Sequence, residues 1–172
     1  MIKNKINLGC GKNIKKGWVN LDKIKLRGVD KIQDLDKFPY PFKDNSVEEI
    51  FMNHVLEHLE DVIKVMEELY RICKNGAIIE INVPHFAHYG AYKDLTHKHF
   101  FSYYSFDYFT SKNDFNFYTP CRFKIIKRRI IYPRGLFLLE QFINLFPKMH
   151  EDILRKFLPV RSLSFILEVK KI

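Results

Sequence analysis

A chain of 172 residues is the size of one domain, and 47% apolar with 15% aromatic residues gives it the means to bury a core, which excludes a disordered chain. A net charge of +9 favours anionic partners such as nucleic acid or phosphorylated substrates, although scattered lysines are also what an ordinary solvated surface carries. Cys10, Cys73 and Cys121 are far apart and form no C-x-x-C, which excludes a disulfide scaffold and points to a reducing cytoplasm; no apolar run is long enough to span a bilayer, and no leader is expected before the first strand.

In chain order, Ile6-Asn7-Leu8 is an apolar run that stops at Gly9-Cys10-Gly11, the form of a buried parallel strand ending in a turn. Glycine lets such a turn reverse sharply and lets backbone approach a ligand closely. Trp18–Asp22 predicts a second strand with Asp22 at its tip, and the linker before it is too short for a full crossover helix. Gly28–Leu35 predicts a third strand with Asp34 at its tip. Phe38–Phe42 is a proline-marked loop and Lys43–Ser46 a turn. Val47–Asn53 predicts a fourth strand that runs into His54-Val55-Leu56-Glu57-His58-Leu59. From Leu59 to Cys73 apolar residues recur at helical spacing, and a left-handed Gly76 is expected to close that helix. Ala77–Val83 predicts a buried strand ended by Pro84. Further on, Phe123–Tyr132 and Leu163–Val169 predict strands, and Leu136–Leu158 one or two amphipathic helices broken at Pro147. The apolar stretch 135–147 is expected to contact the core or a second copy. Strand alternating with helix predicts a single doubly wound α/β domain over residues 1–172, with a mostly parallel sheet and helices on both faces; segments 85–109 and 133–160 are expected to cap its substrate side.

Five elements in order, LGCG, GWxNxD, DL, PFxDxS and HVLEHL, make residues 6–84 resemble the class I S-adenosylmethionine-dependent methyltransferases, with a weaker echo at Asp94-Leu95-Thr96-His97. The resemblance implies a Rossmann-like fold of seven strands, the last antiparallel, and S-adenosyl-L-methionine as cofactor. It also implies roles. Backbone N–H groups of Gly9, Cys10 and Gly11 would hold the cofactor's carboxylate. Asp22 would accept from the ribose hydroxyls, Asp34 from the adenine amino group, with Leu35 donating its N–H. Asn53 and His54 would lie near the sulfonium. A nicotinamide dinucleotide fits less well: Asp22 follows the glycines too soon, and Asn13 stands where a third glycine belongs.

Methyl transfer needs alignment, exclusion of water and sometimes a base. His54, after a strand tip, and His97 are the candidate bases. His85, His88, Asp94, His97 and His99 have spacings a metal accepts, but they lie in a loop without a cysteine pair, and no metal site is expected. The aromatics from Phe100 to Phe109 are expected to roof the site. The acceptor is open at this point, anionic acceptors and nucleic acid included, as is the oligomeric state. The competing reading is a non-catalytic RNA-binding module on a degenerate methyltransferase fold.

Overall fold

The computed structural model describes residues 4–111, 113–114, 116–133, 135–158 and 160–171. Seven strands form one sheet: β1 (Lys5–Leu8), β2 (Val19–Asp22), β3 (Lys31–Ile32), β4 (Val47–Asn53), β5 (Cys73–Pro84), β6 (Phe123–Ile131) and β7 (Ser162–Val169). Their order is β3-β2-β1-β4-β5-β7-β6. The ladders from β3 to β5 are parallel, and β7 pairs antiparallel with both β5 and β6. This is the mostly parallel seven-stranded α/β sheet expected, with β1 between β2 and β4 as its organising strand.

Register puts apolar residues in rows. Leu21, Leu8, Met52, Ile81 and Phe165 are consecutive partners across five strands, and each is 0% exposed. Burial of each such side chain contributes about 1.5–3 kcal/mol. The alternate residues of β7, Ser164, Ile166 and Glu168, are only half-buried, so the sheet has one dry face and one partly wet one. The connections explain this asymmetry. Residues 9–18, 23–30 and 33–46 contain no helix, so the expectation of helices on both faces is met only in part. Side chains do the work of the missing first helix. Asn7 Nδ2 donates to Asn20 Oδ1 (2.9 Å) and to the Asn13 carbonyl (2.8 Å), and Asn20 Oδ1 accepts from the Lys15 N–H (2.8 Å).

The third predicted strand shrinks to Lys31–Ile32, and Asp34 lies beyond it in a turn, its Oδ1 accepting from the Asp36 N–H (3.1 Å). Helix α1 (Val62–Ile72) starts where the Asp61 carboxylate accepts from the Lys64 N–H (3.0 Å) and buries Val65, Met66, Leu69 and Ile72. Gly76 does not cap it. The helix ends at Ile72, with the Cys73 N–H donating to Leu69, and Cys73 already begins β5. The left-handed Gly76 (φ +79°) instead serves a register shift against β4, where Val47 pairs with Cys73 but Glu49 with Ile78.

After β5 comes one helical turn, α2 (Gly90–Lys93). Between β6 and β7 lie α3 (Phe137–Leu145) and α4 (Pro147–Asp152), broken at Pro147 as expected. Asn144 of α3 satisfies the free edge of β6, donating to the Ile130 carbonyl and accepting its N–H, both at 2.8 Å. Little else of α3 is buried. Ile143 lies in the core and Leu139 packs against it, but Phe137, Leu138, Phe142 and Leu145 are 50–80% exposed, so the expected core contact holds for one side of this stretch only. Among the described residues no helix is long and apolar enough to cross a membrane.

Candidate active site

Two cavities open at the carboxyl ends of the parallel strands and meet at His54 and His58. The first, about 640 Å³, falls within the range of small-molecule sites. Its wall includes Gly9, Asp22, Asp34, Leu35 and His54, five of the residues singled out in the sequence, brought together from four segments. Leu35 is fixed from behind: the buried Tyr40 hydroxyl donates to its carbonyl at 2.8 Å, and burial, then the charge of Glu68, keeps that phenol protonated. Gly9 is left-handed (φ +61°), and a Cβ there would sit 2.4 Å from Val55 Cγ2, so this position on the cavity wall requires glycine.

Other expected roles change. Cys10, Gly11 and Asn53 are not on the wall. The Cys10 N–H donates to the Leu21 carbonyl (3.0 Å) and the Gly11 N–H to Asp22 Oδ2 (2.8 Å), so neither is free to hold a ligand carboxylate. The short link between β1 and β2 folds the turn onto β2 and consumes these donors. Asp22 Oδ1 accepts from the Ile24 N–H (3.0 Å). The carboxylate is thus positioned by two backbone donors and keeps lone pairs for a ligand, since each oxygen accepts twice. Burial, then the charge of Asp22, pushes the Cys10 thiol up, which excludes it as a ready nucleophile. Lys23, Gln33, Asp36, Val55, Thr96 and Lys98 are among the other wall residues.

The second cavity, about 440 Å³, is lined by His54, Glu57, His58, His88, Tyr89, Lys93, Asp94, His97 and Arg161, among others. His54 stands at the junction in a left-handed conformation (φ +56°), sparsely populated for a side chain of this kind. Its N–H donates to the Asn82 carbonyl (2.9 Å), and its Nδ1 donates to Oε1 of the fully buried Glu57 (3.1 Å). The segment after β5 closes over both cavities. It docks through Lys98 and His99 N–H groups on the Glu57 carbonyl (2.8 and 3.2 Å). Burial, then the charges of Arg161 and Lys93, hold His88 below the usual histidine range, so it is an uncharged group beside these two cations.

The aromatic roof is not found. Phe106 packs on Phe165 (4.5 Å) and Phe109 on Phe123 (6.1 Å), in the core, and among the Phe, Tyr and Trp side chains of the described residues only Tyr89 reaches the second cavity. The histidines of 85–99 also part company. His85 is buried against Glu151 (2.7 Å), His88 and His97 face the second cavity, and His99 lies by the Glu60 carbonyl (3.2 Å). A wider cavity beside Arg122, Lys124 and Arg128 contains neither the glycine turn nor a strand-tip carboxylate. Glu57 and Arg161 were missed by sequence reasoning. Glu57 sat within the HVLEHL segment, but nothing near Arg161 marks it.

Residues 7–81 match the family described as methyltransferase domain. A SAM-dependent methyltransferase from Archaeoglobus fulgidus shares the fold at TM-score 0.66 and 15% identity, over 95% of this chain and 85% of that one. A Haloferax volcanii putative methyltransferase structure, solved in complex with the activator Trm112, aligns at TM-score 0.62 and 15% identity over 97% and 82%. A SAM-dependent methyltransferase from Mesorhizobium loti aligns at TM-score 0.59 and 13% identity over 95% and 89%. No curated protein matches the chain in sequence. Segment 7–81 thus carries the match to a methyltransferase domain, and the seven-stranded fold is one that solved SAM-dependent methyltransferases share.

Proposed function

We propose that this protein transfers a methyl group from S-adenosyl-L-methionine, held in the first cavity, to an acceptor with an anionic group held in the second. The observation that carries the reading is the junction: the cavity with the left-handed Gly9, the strand-tip Asp22 and the turn residue Asp34 shares His54 and His58 with the second. Gly9, where a Cβ would collide with Val55, and Asp22, which retains acceptor capacity towards a ribose, support this reading. Asp34 and Leu35 would hold the adenine end. When bound, the cofactor supplies an activated methyl group on a sulfonium.

The chain's own part is alignment and desolvation. Lys93 and Arg161 offer an acceptor's negative charge two cations in the second cavity, which also carries the carboxylates of Glu57 and Asp94. Asp94, Thr96 and Leu95 bring the capping segment across both mouths. His54, steered by Glu57, is the candidate proton acceptor, because Nδ1 carries the donated hydrogen and Nε2 keeps its lone pair. His97 is a wall residue of the acceptor side. Three buried, free cysteines suit a reducing compartment.

The test is tritium transfer from methyl-labelled S-adenosylmethionine into fractionated cell extract. Transfer that falls at least tenfold in Asp22→Ala and in His54→Ala supports the reading. Cofactor binding without transfer to any fraction, together with salt-dependent retention of RNA, would favour the binding-module alternative.

A further inference from the structure

We infer that Glu57, His58 and His97 form a binding site for a divalent first-row transition metal, zinc foremost, at the wall between the two cavities. One imidazole nitrogen from each histidine and one Glu57 oxygen lie within 4.8 Å of one another. Ligands around zinc, each at about 2.0–2.2 Å, stand roughly 3–3.5 Å apart, so binding needs a contraction of about 1–2 Å. Three features besides proximity point to a cation.

The first is an orphan. Glu57 is 0% exposed, and while Oε1 accepts from His54, Oε2 is buried without a hydrogen-bond partner among the described residues. A buried carboxylate oxygen left this way is expensive, and a metal ion satisfies it. The second is tautomer control. His97 Nδ1 lies 2.8 Å from the Ala91 carbonyl, which only accepts, so Nδ1 carries the hydrogen and Nε2 has the lone pair. Thr96 Oγ1 donates to Asp94 Oδ1 (2.7 Å) and must therefore accept from His58 Nδ1 (2.8 Å), which leaves His58 Nε2 likewise free to ligate. Such outer partners are what orient metal-binding imidazoles. The third is access: all three side chains line the acceptor cavity, so a metal held by two imidazoles and one carboxylate takes its remaining ligands from there.

The buried cluster of His85, His150 and Glu151 is the internal contrast. There His85 Nδ1 accepts from the Ala87 N–H (3.1 Å), which forces the hydrogen onto Nε2, the nitrogen that faces Glu151 at 2.7 Å. That nitrogen has no lone pair for a metal, so His85 and Glu151 brace each other by a hydrogen bond, although His150 Nδ1, 3.8 Å from Glu151, is buried without a hydrogen-bond partner among the described residues. The expectation that no metal is bound is thus revised for a different residue set, in which only His97 comes from the histidine-rich loop.

The site does not rest on the methyl-transfer reading. The experiment uses the full untagged chain, stripped with chelator and titrated with Co²⁺ and Zn²⁺, read by visible ligand-field absorption and calorimetry. One equivalent is expected, with affinity falling at least tenfold in His97→Ala and in Glu57→Gln, and unchanged in His99→Ala. Glu57 is buried and its variant is sensitive to misfolding, so the His97 variant, checked by circular dichroism, carries the test. No stoichiometric binding, or binding retained in folded His97→Ala, would overturn the proposal.

Discussion

Replacing Gly9 and Gly11 with alanine separates two costs that the turn imposes. Both glycines are left-handed, at φ +61° and +50°. An L-residue there costs about 1–2 kcal/mol. At Gly11 nothing lies within 4 Å of the added Cβ, so that backbone cost is the whole effect. At Gly9 the Cβ would stand 2.4 and 2.7 Å from the two methyls of Val55, and relieving such an overlap costs about 1–3 kcal/mol more. Val55 also lines the first cavity, so displacing it should weaken ligand binding as well as folding. Denaturant unfolding should show Gly9→Ala losing about 2–5 kcal/mol against about 1–2 for Gly11→Ala. In a double-mutant cycle, Val55→Ala should recover about 1–3 kcal/mol of the Gly9 loss. Calorimetry with S-adenosylhomocysteine should find Gly11→Ala close to the parent and Gly9→Ala much weaker. Equal losses at the two glycines, or no coupling to Val55, would refute the close-approach argument.

Asp22→Ala should weaken S-adenosylhomocysteine by about 1–3 kcal/mol, and it should also lower the unfolding midpoint, because the Gly11 and Ile24 N–H groups lose their acceptor. Tyr40→Phe leaves the Leu35 carbonyl without this buried donor and should lose about 1–2 kcal/mol in urea unfolding, with weaker binding on the adenine side. Glu151 titrates in the folded protein at about 2 against 4.5: burial opposes its charge, but the His150 and His85 imidazoles beside it outweigh burial. A depressed carboxylate stabilises fully above its unfolded pKa and loses that contribution as pH falls through the folded one. Relative to Glu151→Gln, the parent should therefore lose stability between about pH 5 and pH 2, by at most about 3 kcal/mol, and an identical acid profile for the two would count against the brace.

The dry face of the sheet was legible because its physics is local. Ile6, Leu8, Ile50, Met52, Ile79 and Ile81 sit in short apolar runs bounded by turn residues, and Asp22 ends such a run. The alternation of β7 was equally plain in Leu163–Val169. What failed was decided by contacts between distant segments. Gly76 looked like a helix cap because it follows an amphipathic run, but β4 drew Cys73 into the sheet first. Cys10 and Gly11 looked like ligand donors because a turn of that composition has free N–H groups until β2 occupies them. The aromatics between Phe100 and Phe109 give no sign of which face they take until Phe165 and Phe123 are in place. The site was half legible for the same reason. Asp22, Asp34 and His54 are marked by strand ends, whereas Glu57 and His97, 40 positions apart, meet only after the capping segment folds back on the Glu57 carbonyl.

The most direct measurement of the central claim is calorimetric titration of the purified full chain with S-adenosyl-L-methionine and S-adenosylhomocysteine, and with NAD as the competing cofactor. One molecule of either methionine-derived ligand per chain is expected, with binding that Asp22→Ala weakens and no response to NAD. Tight NAD binding with no heat from the other two, or ligand binding indifferent to Asp22, would contradict it.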